Sequence, residues 1–403
     1  RGLGDVYKRQ MQAPIEELRA FVEKNRHEML LFWENLVNMQ AGSHEIEKVN
    51  RIIDFLKKHF EAEGIDCRLV DSKGSANVLV AELNKDVPGK PLLLAGHCDT
   101  VFPSGSYPDD PFHIKDGFAY GPGVVDMKNG IAQIFYLLVA LKHFGYKDRP
   151  VKAVIVGDEE TSHVAGISDE ILLQEAEGSL CCFNMESGRM DNCLTVGRKG
   201  GMDCHITVHG LAAHAGNDYL KGRNAIIEMS YKLPQLQDLT LYDEGLTVSV
   251  GVIKGGMVSN AVPDICYAEL DVRYKKLEHM EYIQQKIREV CAKTYIEGTT
   301  TEVEFVAPMP AFEETEANHK LLNYINSVAA KFGYPASEPI YVGGMSDASY
   351  FGSLGIPTVC SMGGQGSGAH TKQECASVDS FFRRWMIAVA CAMELQDYTE
   401  KFA

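Results

Sequence analysis

The sequence predicts an α/β protein: a mostly parallel sheet covered by helices on both faces, into which a smaller α+β layer is inserted. Three observations carry that expectation. Segments that are apolar throughout, such as Leu92–Ala95 and Val151–Val156, alternate with helical stretches, as strands buried on both faces do. Between Lys199 and Pro310 the pattern changes to strands with one polar face, and the earlier pattern resumes afterwards. At 403 residues the chain is also longer than one core usually spans. The expected organisation is a discontinuous domain, residues 11–198 and 311–403, interrupted by residues 199–310.

Taken in order, Ile15, Leu18, Phe21, Val22, Met29, Leu30 and Trp33 recur near helical spacing, with Pro14 suited to the first turn. Val49, Ile52, Ile53, Leu56 and Phe60 make a second stripe, which Gly64 closes. Strands are expected at Cys67–Val70, Ala76–Leu83 and Pro91–Ala95, a helix over Gly130–Phe144, then apolar runs at Val151–Val156 and Leu180–Met185. In the insert, Cys204, Ile206 and Val208 alternate with His205, Thr207 and His209, as in a strand with one wet face. A helix near Arg223–Tyr231, strands at Thr247–Ile253 and Ile265–Tyr274, a helix over Leu277–Lys293 and a strand at Thr301–Val306 follow. That β-α-β-β-α-β order fits a ferredoxin-like layer with helices on one face. Beyond it a helix is expected at Asn318–Phe332, strands near Ile340 and Thr358, and a long helix from Ser380 to Leu395.

Composition narrows the function classes. Hydrophobic residues at 45% and charged residues at 23% are ordinary for a globular protein. A net charge of -16 with no basic stripe argues against a nucleic-acid partner. Eleven cysteines without C-x-x-C spacing read as reduced thiols in a cytoplasmic protein. No apolar stretch approaches the roughly 20 residues of a membrane helix. Residues 1–10 are charged and lead into no apolar segment, so they are read as a non-native or disordered leader, not a signal peptide, with Met11 as the start.

Residues able to bind cations gather where the apolar runs end. His97 and Asp99 lie just past a strand's carboxyl end, where open α/β sheets place their sites. Asp99, two residues on, is suited to orient the imidazole, so His97 reads as a ligand and Asp99 as its support. Gly121-Pro122-Gly123 is a poor dinucleotide loop, because Asp126 occupies the next glycine position and Pro122 lacks an amide donor. A carboxylate held in a glycine-rich turn better suits a ligand approaching two cations; the alternative is an Asp126 that caps the next helix. Asp158, Glu159 and Glu160 are three adjacent acids whose repulsion calls for cations or for water. With metals nearby, one glutamate can bind and the other can serve as general base; a surface turn is the alternative. Glu186 follows the Leu180–Met185 run, and His370 lies in the glycine-rich loop Gly363–His370. Singly, each reads as an ordinary polar residue. Together, two imidazoles and several carboxylates are what a dinuclear hydrolase needs.

The set resembles the family of dinuclear zinc peptidases and deacylases that includes glutamate carboxypeptidase, acetylornithine deacetylase, succinyl-diaminopimelate desuccinylase and aminoacylase. The resemblance covers residues 15–395 and rests on His97-Cys98-Asp99-Thr100, Gly121-Pro122-Gly123 with Asp126-Met127-Lys128, Asp158-Glu159-Glu160, Gly343-Gly344-Met345-Ser346-Asp347-Ala348 and His370. It implies a zinc-exopeptidase-like catalytic domain with an inserted ferredoxin-like lid and dimerisation domain. It also implies two divalent metal ions, zinc first, with cobalt or manganese also suited to the ligands. Asp126 would bridge them, His97 and Glu186 completing one site, Glu160 and His370 the other. Glu159 would be the general base, Asp99 would orient His97, and the peptide after Asp126 would be cis. His214, in Gly210–Gly216, would reach the partner subunit's site and stabilise the oxyanion. Asn260 and Arg273 would bind the substrate's terminal carboxylate, although Arg273 could instead pair with a neighbouring acid. Three ligand carboxylates and two neutral imidazoles carry about -3 against +4, leaving roughly one positive charge for a hydroxide or an anionic substrate.

The activity implied is amide hydrolysis by a bridging hydroxide in a cytoplasmic homodimer, an exopeptidase releasing a C-terminal residue from small peptides or N-acyl amino acids. The alternatives are an N-acyl-amino-acid deacylase of the acetylornithine or desuccinylase type and a metal-free relative kept for binding. Two departures stand out. Met309 occupies the place of an arginine found in glutamate-releasing members, and His163 and its neighbours replace the glycine or serine often found after the acid pair.

Overall fold

The computed structural model describes residues 14–401, so the expected leader at residues 1–10 lies outside the described residues. The chain folds as two compact units. One runs to Gly197 and includes Glu314–Tyr341 and the chain from Ser346 onward; the other comprises Arg198–Glu313 with Val342–Met345.

The first unit is built on a six-stranded sheet in the order Asp66–Val70, Val78–Leu83, Val151–Val156, Leu92–His97, Cys181–Asn184 and Thr358–Val359. Leu92–His97 runs parallel to both its neighbours, and Thr358–Val359 continues the parallel sense; the first two strands form an antiparallel edge. Every residue of Leu92–His97 is buried, which is why the run is apolar without alternation. Leu92, Leu94, Ala153, Ile155 and Phe183 join one large core with Trp33, Phe60, Leu137 and Trp385 from the helices. The helix Lys128–His143 is buried on nearly all sides. Glu316–Lys331 begins where the Thr315 hydroxyl accepts the Asn318 amide at 3.2 Å, and Val378–Met393 begins at the equivalent Ser377 cap.

A second sheet in this unit is absent from the sequence reading. Its strands are His113–Lys115, Phe118–Tyr120, Cys375–Ser377, Gln365–Ser367 and Gly188–Arg189. Strands of two or three residues are too short for alternation to show.

The second unit is a four-stranded antiparallel sheet in the order Thr247–Gly255, Ile265–Tyr274, Gly200–His209, Thr300–Met309. In sequence terms this is second, third, first, fourth, and with the helices Ala225–Gln237 and Leu277–Cys291 it makes the expected ferredoxin-like layer. Cys204, Ile206, Val208, Ala268, Leu270 and Val272 face the helices and pack on Met229, Leu236, Ile283 and Ile287. Ala225–Gln237 passes through Pro234 instead of ending near Tyr231, because Leu236 beyond it is fully buried. A buried ion pair sits within this unit: Lys232 Nζ lies 2.8 Å from Glu228 Oε1 and donates to the carbonyls of Cys291 and Lys293. Glu228 Oε2 accepts the amides of Tyr295 and Ile296 at 2.9 and 2.6 Å.

Candidate metal centre

Strand register assembles half of the site. His97 stands opposite Val156, and Ala95 opposite Asn184, so the three parallel strands end side by side. Glu159 and Glu160, just after Val156, and Glu186, just after Asn184, therefore emerge beside His97. Asp126 arrives differently, on the turn that leaves Phe118–Tyr120. Gly123 has a φ of 70°, and a Cβ there would lie 2.5 Å from Thr100 Cγ2, so only glycine fits. The Asp126–Met127 peptide is cis.

The small sheet supplies the rest. His370, at φ 64°, sits in the turn between Gln365–Ser367 and Cys375–Ser377. Glu374, in the same turn and buried, accepts the amides of Gly123, Val125 and Asp126 at 3.0, 2.8 and 3.0 Å. One carboxylate thus ties the His370 turn to the Asp126 turn. Burial pushes Glu374 up to about 7 against the pull of those amides.

The side chains meet closely. His97 Nε2 lies 3.4 Å from Asp126 Oδ1, 3.6 Å from Glu186 Oε1 and 3.8 Å from Glu159 Oε2. His370 Nε2 lies 3.4 Å from Asp126 Oδ2 and 3.0 Å from Glu160 Oε2. His97, Glu159 and Glu186 form one trio with ligand atoms within 4.8 Å of one another; His97, Asp126 and Glu160 form a second. The grouping differs from the expected one in that Glu159 also reaches His97. Asp99 is fully buried behind His97, with Oδ1 3.2 Å from His97 Nδ1. Its Oδ2 accepts the Ser43 hydroxyl at 2.7 Å and the Glu160 amide at 3.2 Å, so it steadies both the imidazole and the acid turn.

These atoms fit divalent cations. His97 Nε2 is buried and, among the described residues, has no hydrogen-bond partner. Donors about 2.0–2.1 Å from one tetrahedral ion lie roughly 3.4 Å apart, and the 3.4 and 3.6 Å separations match that spacing. Without cations the charge is redistributed. Burial, opposed by His97 but reinforced by Glu186, Asp347 and Glu160, holds the Glu159 carboxyl well above its ordinary range. Burial also raises Glu160. Hydrogen bonds to Asp126 and Glu160 lift His370 to about 10.

Two predictions follow from this geometry. Glu374→Ala leaves three amides without their acceptor and loosens the Asp126 turn, so affinity for divalent ions should fall about 10–100-fold. Chelator competition measures it; wild-type affinity would mean the turn holds unaided. Second, below pH 10 the His370 imidazole carries a proton that it must give up to become a ligand. Metal uptake at pH 7.5 should therefore release protons, and affinity should rise with pH up to about 10. Calorimetric titrations in buffers of different ionisation enthalpy read the release, and heats independent of buffer would contradict it.

Several residues at the site carry roles that the sequence reading leaves unassigned. Glu374 has no motif of its own, and its position four residues after His370 is the only signal. Asp158 turns away from the cluster; its Oδ1 meets His163 Nδ1 at 2.8 Å and its Oδ2 accepts the Ser168 hydroxyl at 2.9 Å. That pairing relieves the crowding expected of three adjacent acids.

His214, Asn260 and Arg273 belong to the second unit. His214 pairs with Ala261 in a two-stranded ladder, and Ala215 donates to the Asn260 carbonyl at 3.0 Å, so His214 and Asn260 are neighbours. The amides of Gly216 and Asn217 both point at His214 Nδ1 at 3.1 Å, which leaves the ring proton on Nε2 as a donor. Arg273 stands at the other end of Ile265–Tyr274, roughly 26 Å of strand from Ile265. Its guanidinium grips Asp271 at 2.8 and 2.6 Å, the acid pairing named as its alternative. Met309 is buried at the end of its strand.

Comparison with known proteins places the chain in a family. The sequence pattern of Peptidase family M20/M25/M40 matches residues 93–394. Carboxypeptidase G2 of Pseudomonas sp. (strain RS-16) is 28% identical over 366 residues, covering 90% of this chain and 88% of that protein. A succinyl-diaminopimelate desuccinylase of Cereibacter sphaeroides is 26% identical over 319 residues, covering 73% and 81%. In fold, the chain is similar to a tripeptidase of Staphylococcus aureus, with a TM-score of 0.74 at 24% identity, covering 92% of this chain and 98% of that one. A Bacillus subtilis protein described as a dinuclear metal-binding peptidase of this family gives a TM-score of 0.65 at 16% identity, covering 93% and 99%. With most of its length matched, the chain belongs to Peptidase family M20/M25/M40 and is a hydrolase of that metallopeptidase family.

Proposed function

We propose that the protein is a two-metal exopeptidase that releases a C-terminal amino acid from small peptides or N-acyl amino acids. The observation that carries this reading is Asp126, which turns Oδ1 toward His97 and Oδ2 toward His370. One carboxylate so oriented can serve two cations, with His97 and Glu186 on one side and Glu160 and His370 on the other. Zinc suits these ligands, as do cobalt and manganese. When bound, the ions polarise the scissile carbonyl and make water a better nucleophile at neutral pH.

The chain's own groups then divide the work. Glu159 stands farthest from His97 of the three carboxylates facing it, which leaves it free to act as a base. It accepts the proton of the attacking water and returns it to the leaving amine. Asp99 holds His97 and the Glu160 amide in place. His214 offers Nε2–H to the developing oxyanion. Within one chain Asn260 and Arg273 are too far apart to hold one carboxylate, so that role requires two subunits, Asn260 and His214 coming from the partner.

A homodimer through the second unit is supported by the open edge of Thr247–Gly255 and by the exposed Ile253, Ile227 and Tyr231. Sedimentation should report a dimer, and Ile253→Glu should yield monomers without turnover. A fully active monomeric wild type would remove His214 and Asn260 from the site. All eleven cysteines are free, which suits a reducing, cytoplasmic compartment. Among the described residues no helix is long and apolar enough to cross a membrane.

The peptidase reading is preferred because the match to carboxypeptidase G2 covers more of this chain than the desuccinylase match does. Deacylation of N-acyl amino acids is the second reading, favoured by the desuccinylase relatives. Met309 offers no cation to an acidic side chain, which speaks against glutamate as the preferred released residue. A panel of dipeptides and N-acetyl and N-succinyl amino acids separates the two readings. Turnover of dipeptides is expected, and exclusive turnover of acylated compounds would overturn the peptidase assignment.

A further inference from the structure

We propose that His163 is the positioning residue for the turn that carries Glu159 and Glu160, acting as one imidazolium shared between Asp158 and Asp347. The inference rests on the reading of Glu159 as general base.

The Glu159–Thr161 turn is a single loop of 3-10 helix with Asp158 before it and His163 just after it. His163 Nδ1 lies 2.8 Å from Asp158 Oδ1, and its Nε2 lies 2.8 Å from Asp347 Oδ1. All three side chains are buried, none more than 3% exposed. A carboxylate oxygen stands 2.8 Å from each ring nitrogen, and a ring that donates to both is the imidazolium. Burial alone would favour the neutral ring, but Asp347 and Asp158 outweigh it and hold the imidazole well above its ordinary value.

The bridge does two things to the turn. It closes the turn on itself, joining the residue before Glu159 to the third residue after Glu160. It also anchors the turn to Asp347, which opens the short helix Ala348–Ser353. Ser162 and His163 both take positive φ, 52° and 59°, a conformation uncommon for residues with side chains and here fixed by the imidazole's two partners. At the other end Asp99 already holds the Glu160 amide. The base and its neighbour are thus gripped from two directions, by Asp99 and by His163. A purely stabilising role explains this poorly, since burying three charged groups has a desolvation cost that pairing offsets only in part.

The test uses the metal-loaded enzyme and four variants measured together for metal content, kcat, KM and amide exchange. In His163→Gln, kcat should fall about 10–100-fold at unchanged metal content with KM within about threefold, and the amides of Glu160–His163 should exchange faster. Asp347→Asn keeps an acceptor for Nε2 and should retain most of kcat, whereas Asp347→Leu should behave like His163→Gln. The Asp347 pair keeps the test open should His163→Gln fail to fold. Wild-type kcat in His163→Gln, or equal losses in the two Asp347 variants, would overturn the proposal. Glu159→Ala separates the two readings. If it keeps turnover, the base assignment has failed; if it is inactive while the His163 and Asp347 variants are normal, only the positioning role has.

Discussion

Glu159→Ala should lower kcat by about 10²–10⁴-fold while metal content stays at the wild-type level. The carboxyl is the most distant of the three facing His97 Nε2, so its removal leaves Asp126 and Glu186 at 3.4 and 3.6 Å to keep the cation side intact. What is lost, on the proposed assignment, is the carboxyl that carries a proton between water and the leaving amine. KM should change little, because the residues proposed for the substrate's carboxylate, Asn260 and Arg273, belong to the second unit. Glu159→Gln should be equally impaired, since an amide keeps the shape but not the basicity. Steady-state kinetics beside elemental analysis gives the answer, and near-normal kcat in either variant would remove Glu159 from the base role.

The second large effect concerns stability. Lys232→Met should destabilise the second unit by about 3–5 kcal/mol, because it leaves the fully buried Glu228 without its counter-charge. Glu228 would keep the amides of Tyr295 and Ile296 but lose the Lys232 cation at 2.8 Å. The double variant Glu228→Gln with Lys232→Met should recover most of the loss, since removing both charges also removes the burial penalty. Trp33 and Trp385 both lie in the first unit, so hydrogen exchange within Ala225–Gln237 is the suitable measurement. Unchanged protection in the single variant would show that water reaches Glu228 and that the pair matters little.

The parallel strands could be read from the sequence because burial on both faces leaves no polar residues in Leu92–Leu94 or Val154–Val156. The second unit could be read for the opposite reason, its strict alternation over Cys204–His209 and Ile265–Tyr274. At the site, His97, Asp126, Glu159, Glu160, Glu186 and His370 were visible as residues at strand ends and in glycine-rich turns. Of the supporting groups, Asp99 was visible too, but Glu374 and the pairing of His163 were not. Glu374 acts on backbone amides some 250 residues earlier, and His163 on an aspartate 184 residues later. Neither relation leaves a local pattern. The helix through Pro234 escaped for a related reason: burial of Leu236 decides it, and burial is a tertiary fact.

The small five-stranded sheet sets an order of events during synthesis. Its strands come from residues 113–120, 188–189 and 365–377, so it cannot close until residue 377 has left the ribosome. The parallel strands bearing His97, Glu159 and Glu186 are translated long before the hairpin that delivers His370 and the Glu374 tie to Asp126. A nascent chain therefore lacks the complete set of candidate ligands until that hairpin has been made. The candidate site is therefore completed only after the insert between the two halves has been made.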